Sequence, residues 1–557
     1  MFNRLQNMVQ NFSILEKRIF FSAIALAIIA SFALGMSLFY KNTKAVPVIS
    51  GEYIEGMVGQ PVLINPALLG INDIDRDLAN LLWEGLLSLA EEYKPSVDGL
   101  SWTVILKKDL KWSDGEPLTS DDVIFTLDTI QDLGNRSPLF LTWQSIVAER
   151  MSEREIRFTL KTPYAFFADN LNELQIIPQH IFGSIPGANL RLSNFNLEPV
   201  GNGPYAFRKY DKRKDGFITD YYLETNPYFV GNPPFIKNFR VKFFSNFNEV
   251  LSAFNRLEIS GFGGSGLAET SGIKAGFSSY IFDTTRYYAV FFNRGTHAGL
   301  DNAAVRQALA LASNKQSIVD TMFRGLAKKI DGPIPETVEG FDPAIYEKEV
   351  FSIEEAQKVL DAAGWVLGDS GVREKTSGKI KTILEFNLIV PQIPELKLVE
   401  IANFLKEDWA KIGVKITIIP MDAAQINETV IKTRNYHMIL FGNVLKNNPD
   451  ILAFWHSSER TSPGLNLSIY ENRKVDTLLE NIRKNPDPTS RGIDLAKVQS
   501  LIVADHPAAF LFSPRYLYVA SNSVYGISPF VITTRSSRFD HVTEWYLKTK
   551  RVFKRSS

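Results

Sequence analysis

Residues 19–40 form a run of 22 positions without a single charge, broken only by Ser22, Ser31, Ser37 and Gly35. No other feature restricts the fold of this chain as much, because so long an apolar stretch needs a hydrocarbon environment along its whole length. As a helix rising 1.5 Å per residue it covers about 33 Å, against a bilayer core of about 30 Å. A cleaved signal peptide has a shorter apolar core of about 7–15 residues, followed by a small-x-small site. The nearest such site, Thr43-Lys44-Ala45, is a poor match, so residues 19–40 are expected to be an uncleaved signal anchor. Arg4, Lys17 and Arg18 precede the run and Lys41 and Lys44 follow it, too even a bias to orient it by charge. The large folded remainder after one span favours a cytoplasmic N-terminus (1–18) and a body on the extracytoplasmic face of the cell membrane.

That remainder is long. At 557 residues the chain exceeds one compact core, and two to four lobes are expected. Lysine plus arginine equals aspartate plus glutamate, 61 against 61, which gives no support for nucleic-acid binding. The chain contains no cysteine, which excludes disulfides, thiolate metal sites, cysteine nucleophiles and a lipidated cysteine anchor. Any tether must therefore be the apolar run itself.

Residues 41–50 read as a short linker carrying Pro47, and residues 549–557 as a frayed basic tail. Between them, β-rich runs punctuated by Gly and Pro fill about 100–290. Trp102-Thr103-Val104-Ile105-Leu106 leads into the turn Ser113-Asp114-Gly115, and Thr119 or Ser120 caps the helix that follows, with Asp121 and Asp122 in its first turn. Beyond residue 300, helices and strands alternate. Asp301 is placed to cap a helix carrying Val305, Leu309 and Ala312, and Ser352 to Glu355 reads as a capping box. A strand over 383–390, a helix with Leu398, Ile401, Leu405 and Trp409 on one face, and a strand over 414–419 make a unit that implies parallel pairing. The class is α/β.

Catalytic and cofactor signatures are weak. Gly261-Phe262-Gly263-Gly264-Ser265-Gly266 matches the dinucleotide spacing, but glycine-rich loops match it cheaply. His180, His297, His437, His456, His506 and His541 show no H-x-x-x-H spacing, and G-x-S-x-G is absent. No enzyme activity, metal or cofactor is expected.

The string Trp112-Ser113-Asp114-Gly115-Glu116-Pro117-Leu118-Thr119-Ser120-Asp121-Asp122-Val123 resembles the signature of bacterial extracellular solute-binding proteins of family 5, the oligopeptide- and dipeptide-binding components of ABC importers. Further strings agree in order: Asp75-Arg76-Asp77-Leu78 with Trp83-Glu84-Gly85-Leu86, Pro199-Val200-Gly201-Asn202-Gly203-Pro204-Tyr205, Val305-Arg306-Gln307-Ala308-Leu309, Asp361-Ala362-Ala363-Gly364-Trp365, Asn448-Pro449-Asp450 and Asp505-His506-Pro507. The resemblance covers about 51–546. It implies a bilobed periplasmic-binding-protein-like fold, class II type with an extra small domain. Lobe I is expected from 51–87, 181–286 and 520–548, domain II from 88–180 and lobe III from 287–519.

By the same resemblance, a peptide or small-molecule ligand lies between the lobes and is delivered to permease subunits of an ABC transporter. Phe441, Gly442, Asn443 and Val444 are the expected backbone strip for an extended ligand, with Asp450 and Trp455 beside it. Relatives that bind peptides carry an aspartate for the ligand's ammonium at the position of Leu445, and Lys446 follows it here. That departure supports an alternative, a surface sensor or chaperone-like protein with the same fold and no import role.

Overall fold

The computed structural model describes residues 12–264, 272–274, 276–346, 350–393, 396–446 and 448–554. Arg4, Ser265, Gly266, Asn447 and the end of the expected tail (555–557) lie outside the described residues.

The apolar run lies within helix Ile14–Asn42, begun by a capping box in which Ser13 Oγ accepts from the Glu16 N–H and the Glu16 carboxylate accepts from the Ser13 N–H. None of its residues is buried against the body. Apolar on every side and touched by the body only at its C-terminal end, this helix is long and apolar enough to cross a bilayer. The expected linker and tail are corrected here: strand Thr43–Pro47 follows the helix directly and pairs antiparallel with strand Thr549–Phe553.

The body is built on two large sheets. The first has eight strands in the order Val531–Ile532, Phe277–Thr284, Tyr516–Ser521, Gly261–Gly264, Glu52–Val58, Asn238–Phe244, Ile218–Thr225 and Tyr205–Lys212. The second has six: Ala327–Lys329, Ala508–Pro514, Arg286–Phe292, Met438–Val444, Glu385–Pro391 and Lys415–Met421. Two continuous stretches of chain cross between the sheets, changing partners at Thr285 and at Arg515. The expected boundary at 519/520 falls inside strand Tyr516–Ser521, which pairs with Phe277–Thr284 in the first sheet, so the crossing lies earlier, at Arg515. Asp283 braces both crossings, accepting from Arg515 Nε at 2.7 Å and from Lys328 Nζ at 2.9 Å.

Several local expectations hold. Glu385–Pro391, helix Leu398–Ala410 and Lys415–Met421 form the strand–helix–strand unit with parallel strands, and Gly413 takes a φ of +79° where the helix stops. The helix carrying Val305 and Leu309 is capped by Asn302, not Asp301, because Asn302 Oδ1 accepts from the N–H groups of Ala304 and Val305. Of the glycine-rich match, Gly261–Gly264 is an interior strand of the sheet, and Ser265 and Gly266 lie outside the described residues. The strand's glycines leave room for tyrosines, since a Cβ on Gly263 would stand 1.6 Å from the Tyr516 hydroxyl.

A third, four-stranded antiparallel sheet (Ala90–Pro95, Ser101–Leu106, Glu155–Thr159, Val147–Arg150) packs with helix Ser120–Gln131 in one continuous core with the first lobe. Alternation along Ser101–Leu106 buries Trp102, Val104 and Leu106 on one face.

Candidate ligand cleft

The sequence motifs meet at one corner of the body. Trp112 is fully buried, and the turn after it is pinned to the glycine-rich motif: the Ser113 N–H donates to the Gly201 carbonyl at 2.9 Å and the Gly201 N–H donates to Ser113 Oγ at 3.2 Å. Thr119 caps helix Ser120–Gln131 in a capping box with Asp122, whose other oxygen accepts from the Gln179 N–H at 2.8 Å. A Cβ on Gly201 would lie 2.0 Å from the Leu82 carbonyl oxygen, and one on Gly203 2.6 Å from the Leu82 carbonyl carbon. Asn202 Oδ1 then accepts from the Glu84 N–H at 2.8 Å. These residues shape the corner that carries the buried Trp83 and its neighbour Glu84 to the wall of the cleft.

That cleft has a volume of about 880 Å³ and draws walls from all three parts of the body. The first sheet's lobe supplies Trp83, Glu84, Phe229 and Asp540; the small domain supplies Lys107 and Glu173; the second sheet's lobe supplies Val444, Leu445 and Lys446. A volume of this size takes a small-molecule or short-peptide ligand.

The structure separates the expected site residues. Val444 lines the cleft and is 42% exposed. Phe441 and Gly442 are half-buried, with Phe441 against the second lobe's core and Gly442 against the Tyr288 ring. Asn443 is buried and donates to the Tyr287 hydroxyl at 2.8 Å. Asp450 is held by Arg483 at 2.9 Å and by the Tyr164 hydroxyl at 2.9 Å, and Trp455 is wholly buried among Phe291, Tyr470 and Phe510. Leu445 is buried as well, clamped to Thr285 at the sheet crossing by a hydrogen bond in each direction.

The charge in the cleft comes from elsewhere. Lys446 bridges to the small domain, 2.6 Å from Glu173 and 2.9 Å from Asn170 Oδ1, so its charge is already compensated. Asp540 sits at the cleft wall with Asn80 Nδ2 donating to it at 2.7 Å. The surrounding protein pushes its carboxyl up to about 6, with the Asn80 hydrogen bond pulling the other way. Burial likewise raises the Glu84 carboxyl, opposed by Ser88 and Lys107. Of these charged residues, sequence patterning marked only Glu84 and Lys446; Lys107, Glu173 and Asp540 carry no local signal, because only the lobe arrangement brings them together.

Comparison with known proteins agrees with this architecture. The family described as bacterial extracellular solute-binding proteins, family 5 (middle region), matches residues 87–463. The oligopeptide-binding protein AppA of Bacillus subtilis is 26% identical over 496 residues, which is 85% of this chain and 88% of that protein. Among solved structures, the substrate-binding protein CtaP of Listeria monocytogenes superimposes with a TM-score of 0.76 at 23% identity, covering 89% of this chain and 99% of its own. Bacillus subtilis AppA in complex with a nonapeptide gives 0.70 at 23% identity, covering 90% and 100%. With the family matched across residues 87–463 and the bilobed fold shared over about nine-tenths of the chain, this chain belongs to the bacterial extracellular solute-binding proteins of family 5, which bind solutes and do not catalyse reactions.

Proposed function

We propose that the chain is the membrane-tethered receptor of an ABC importer, taking peptides or similar amide-rich solutes into the cleft and handing them to permease subunits. The observation that carries this reading is the three-walled cleft over a two-strand crossing. Among the described residues the chain changes sheets at Thr285 and Arg515, and a small change in backbone angle there swings one lobe against the other. The Leu445 clamp on Thr285 ties the cleft wall to that crossing. Strand Met438–Val444 pairs along its length with Arg286–Phe292, whereas its pairing with Glu385–Pro391 reaches only Met438 and Ile439. Backbone groups of Phe441 to Val444 are therefore available to an extended ligand as an added strand, the mode in which main-chain hydrogen bonds supply affinity. AppA's nonapeptide complex supports a ligand of this kind.

Tethering rests on helix Ile14–Asn42. Its apolar run of 22 residues is longer than the core of a cleaved signal peptide, and Thr43-Lys44-Ala45 is a poor match to a cleavage site, which supports a helix retained as the anchor.

Native mass spectrometry of the detergent-solubilised full chain, with peptides from dipeptide to nonapeptide added, tests the assignment. A bound peptide together with ligand-dependent compaction in small-angle scattering is the expected result; neither signal across the panel sinks it. The buried Leu445, in place of a carboxylate, favours a second reading as a surface sensor without import. Undiminished peptide uptake by cells lacking the protein, alongside peptide binding in vitro, selects that second reading.

A further inference from the structure

The join between helix and body is built, not slack. Helix Ile14–Asn42 runs into strand Thr43–Pro47 with no residue between, and the partner strand Thr549–Phe553 closes over the helix end. The last carbonyls of a helix lack intrahelical donors. Here Arg551 Nη2 donates to the Tyr40 and Thr43 carbonyls, each at 3.1 Å, Arg551 Nε donates to Thr43 Oγ1 at 2.8 Å, and the Lys554 N–H donates to the Asn42 carbonyl at 2.8 Å. The Arg551 guanidinium lies 4.2 Å from the Tyr40 ring centre, and the Phe39 and Phe553 rings meet edge to face at 6.3 Å.

Charge is segregated at this join. The chain as a whole is neutral, yet 41–51 and 545–557 hold no aspartate or glutamate. They carry Lys41, Lys44, Lys548, Lys550, Arg551 and Lys554, all exposed, and Arg555 outside the described residues; among the described residues none of the five lysines has a carboxylate within ion-pair distance. The register puts Thr43 opposite Phe553 at the helix end and Val46 opposite Lys550 three rungs on, about 10 Å further from the helix at ~3.4 Å per rung. Exposed Phe39, Tyr40 and Phe553 stand where aromatic side chains favour the membrane–water interface, and Lys41, Lys44, Lys550 and Lys554 stand within about one Debye length of it, with Lys548 further out.

We propose that the ribbon of Thr43–Pro47 and Thr549–Phe553 is a seat for anionic phospholipid headgroups, which holds the receptor body against the membrane in a set orientation. This rests on the reading of helix Ile14–Asn42 as an uncleaved anchor. An oriented body keeps its cleft at a fixed height over a permease, whereas a flexible tether would let it tumble.

The test reconstitutes the full chain into nanodiscs of phosphatidylcholine alone, or with one-third phosphatidylglycerol, and follows amide hydrogen exchange. Exchange across 43–47 and 549–553 is expected to slow about fivefold or more with phosphatidylglycerol, taking the attraction of a single lysine as the lower bound. High salt and the triple variant Lys44→Gln, Lys550→Gln, Lys554→Gln are expected to abolish the difference, with exchange in the two large sheets unchanged. Equal exchange in the two lipids overturns the proposal, as does a lipid effect that survives in the triple variant. A chain that does not co-elute with the nanodiscs overturns the anchor, and the ribbon's role with it.

Discussion

Arg538 and Asp77 form a two-pronged ion pair inside the first lobe, with Nη1 and Nη2 at 3.0 and 2.7 Å from the two carboxylate oxygens. Nη2 also reaches Glu55 at 3.1 Å, and the hydroxyls of Tyr53 and Tyr518 donate to the same carboxylate at 2.8 and 2.6 Å. Arg538 and both acids are buried. The pair thus ties strand Glu52–Val58, helix Asp73–Leu82 and the segment Ser536–Phe539 that walls the cleft. Arg538→Met is expected to cost about 3–5 kcal/mol in denaturant unfolding, because it strands two buried carboxylates. Burial already raises both carboxyls, with Arg538 opposing it, and losing Arg538 raises them further. A folded-state value above the unfolded one means that the folded form binds the extra proton, so stability falls as pH rises through the interval between the two values. The deficit of the variant should therefore shrink on acidification towards the carboxylate range. Adding Glu55→Gln and Asp77→Asn should recover most of it at neutral pH.

Gly201→Ala and Gly203→Ala each place a methyl group against the Leu82 backbone. Each is expected to destabilise the body by about 1–3 kcal/mol, the range for forced backbone shifts. Because Leu82 precedes Trp83 and Glu84 at the cleft, ligand affinity should weaken in variants that remain folded, read by calorimetry beside a thermal melt.

Contacts between the small domain and the second lobe act as a latch across the cleft: Lys446 to Glu173, Asn448 to Asp169, and Tyr164 to Asp450. The Lys446 and Glu173 side chains are about half exposed, so Lys446→Ala should remove about 1 kcal/mol or less of closure energy. The expected readout is an apparent ligand affinity weakened by no more than about fivefold, a shift that disappears at high salt.

Asp540 gives the cleft a pH dependence. Its carboxyl, ordinarily near 3.8 and here about 6, takes up a proton on folding between about pH 4 and 6. Wild-type stability relative to Asp540→Asn should then decline as pH rises through that window and level off above it. A ligand carrying an ammonium group should bind more tightly as pH rises past 6, and the Asp540→Asn variant should lose that rise.

What could be read from the chain was local. A helix start at Thr119 or Ser120 and the parallel unit around helix Leu398–Ala410 follow from side chains close together in the chain; that Thr119 is the cap, boxed with Asp122, came from the structure. Asp301 and Asn302 show the limit of that reading. Either residue type caps a helix, and only the backbone decided that Asn302 does. The ribbon was missed for a different reason: residues 43–47 and 549–553 lack apolar alternation and are separated by the whole body, so neither half signals a strand alone.

By itself, the sequence determined that an apolar helix precedes a large α/β body and that no cysteine chemistry is present. Those properties reside in residue type and short-range order. Tertiary structure alone decided that Asp450 and Trp455 are held by the protein's own side chains, that Glu84 and Asp540 share a cleft with Lys107, and that Arg551 caps a helix more than five hundred positions before it. Burial and charge pairing depend on which distant segments the sheets bring together, and no short stretch of sequence carries that information.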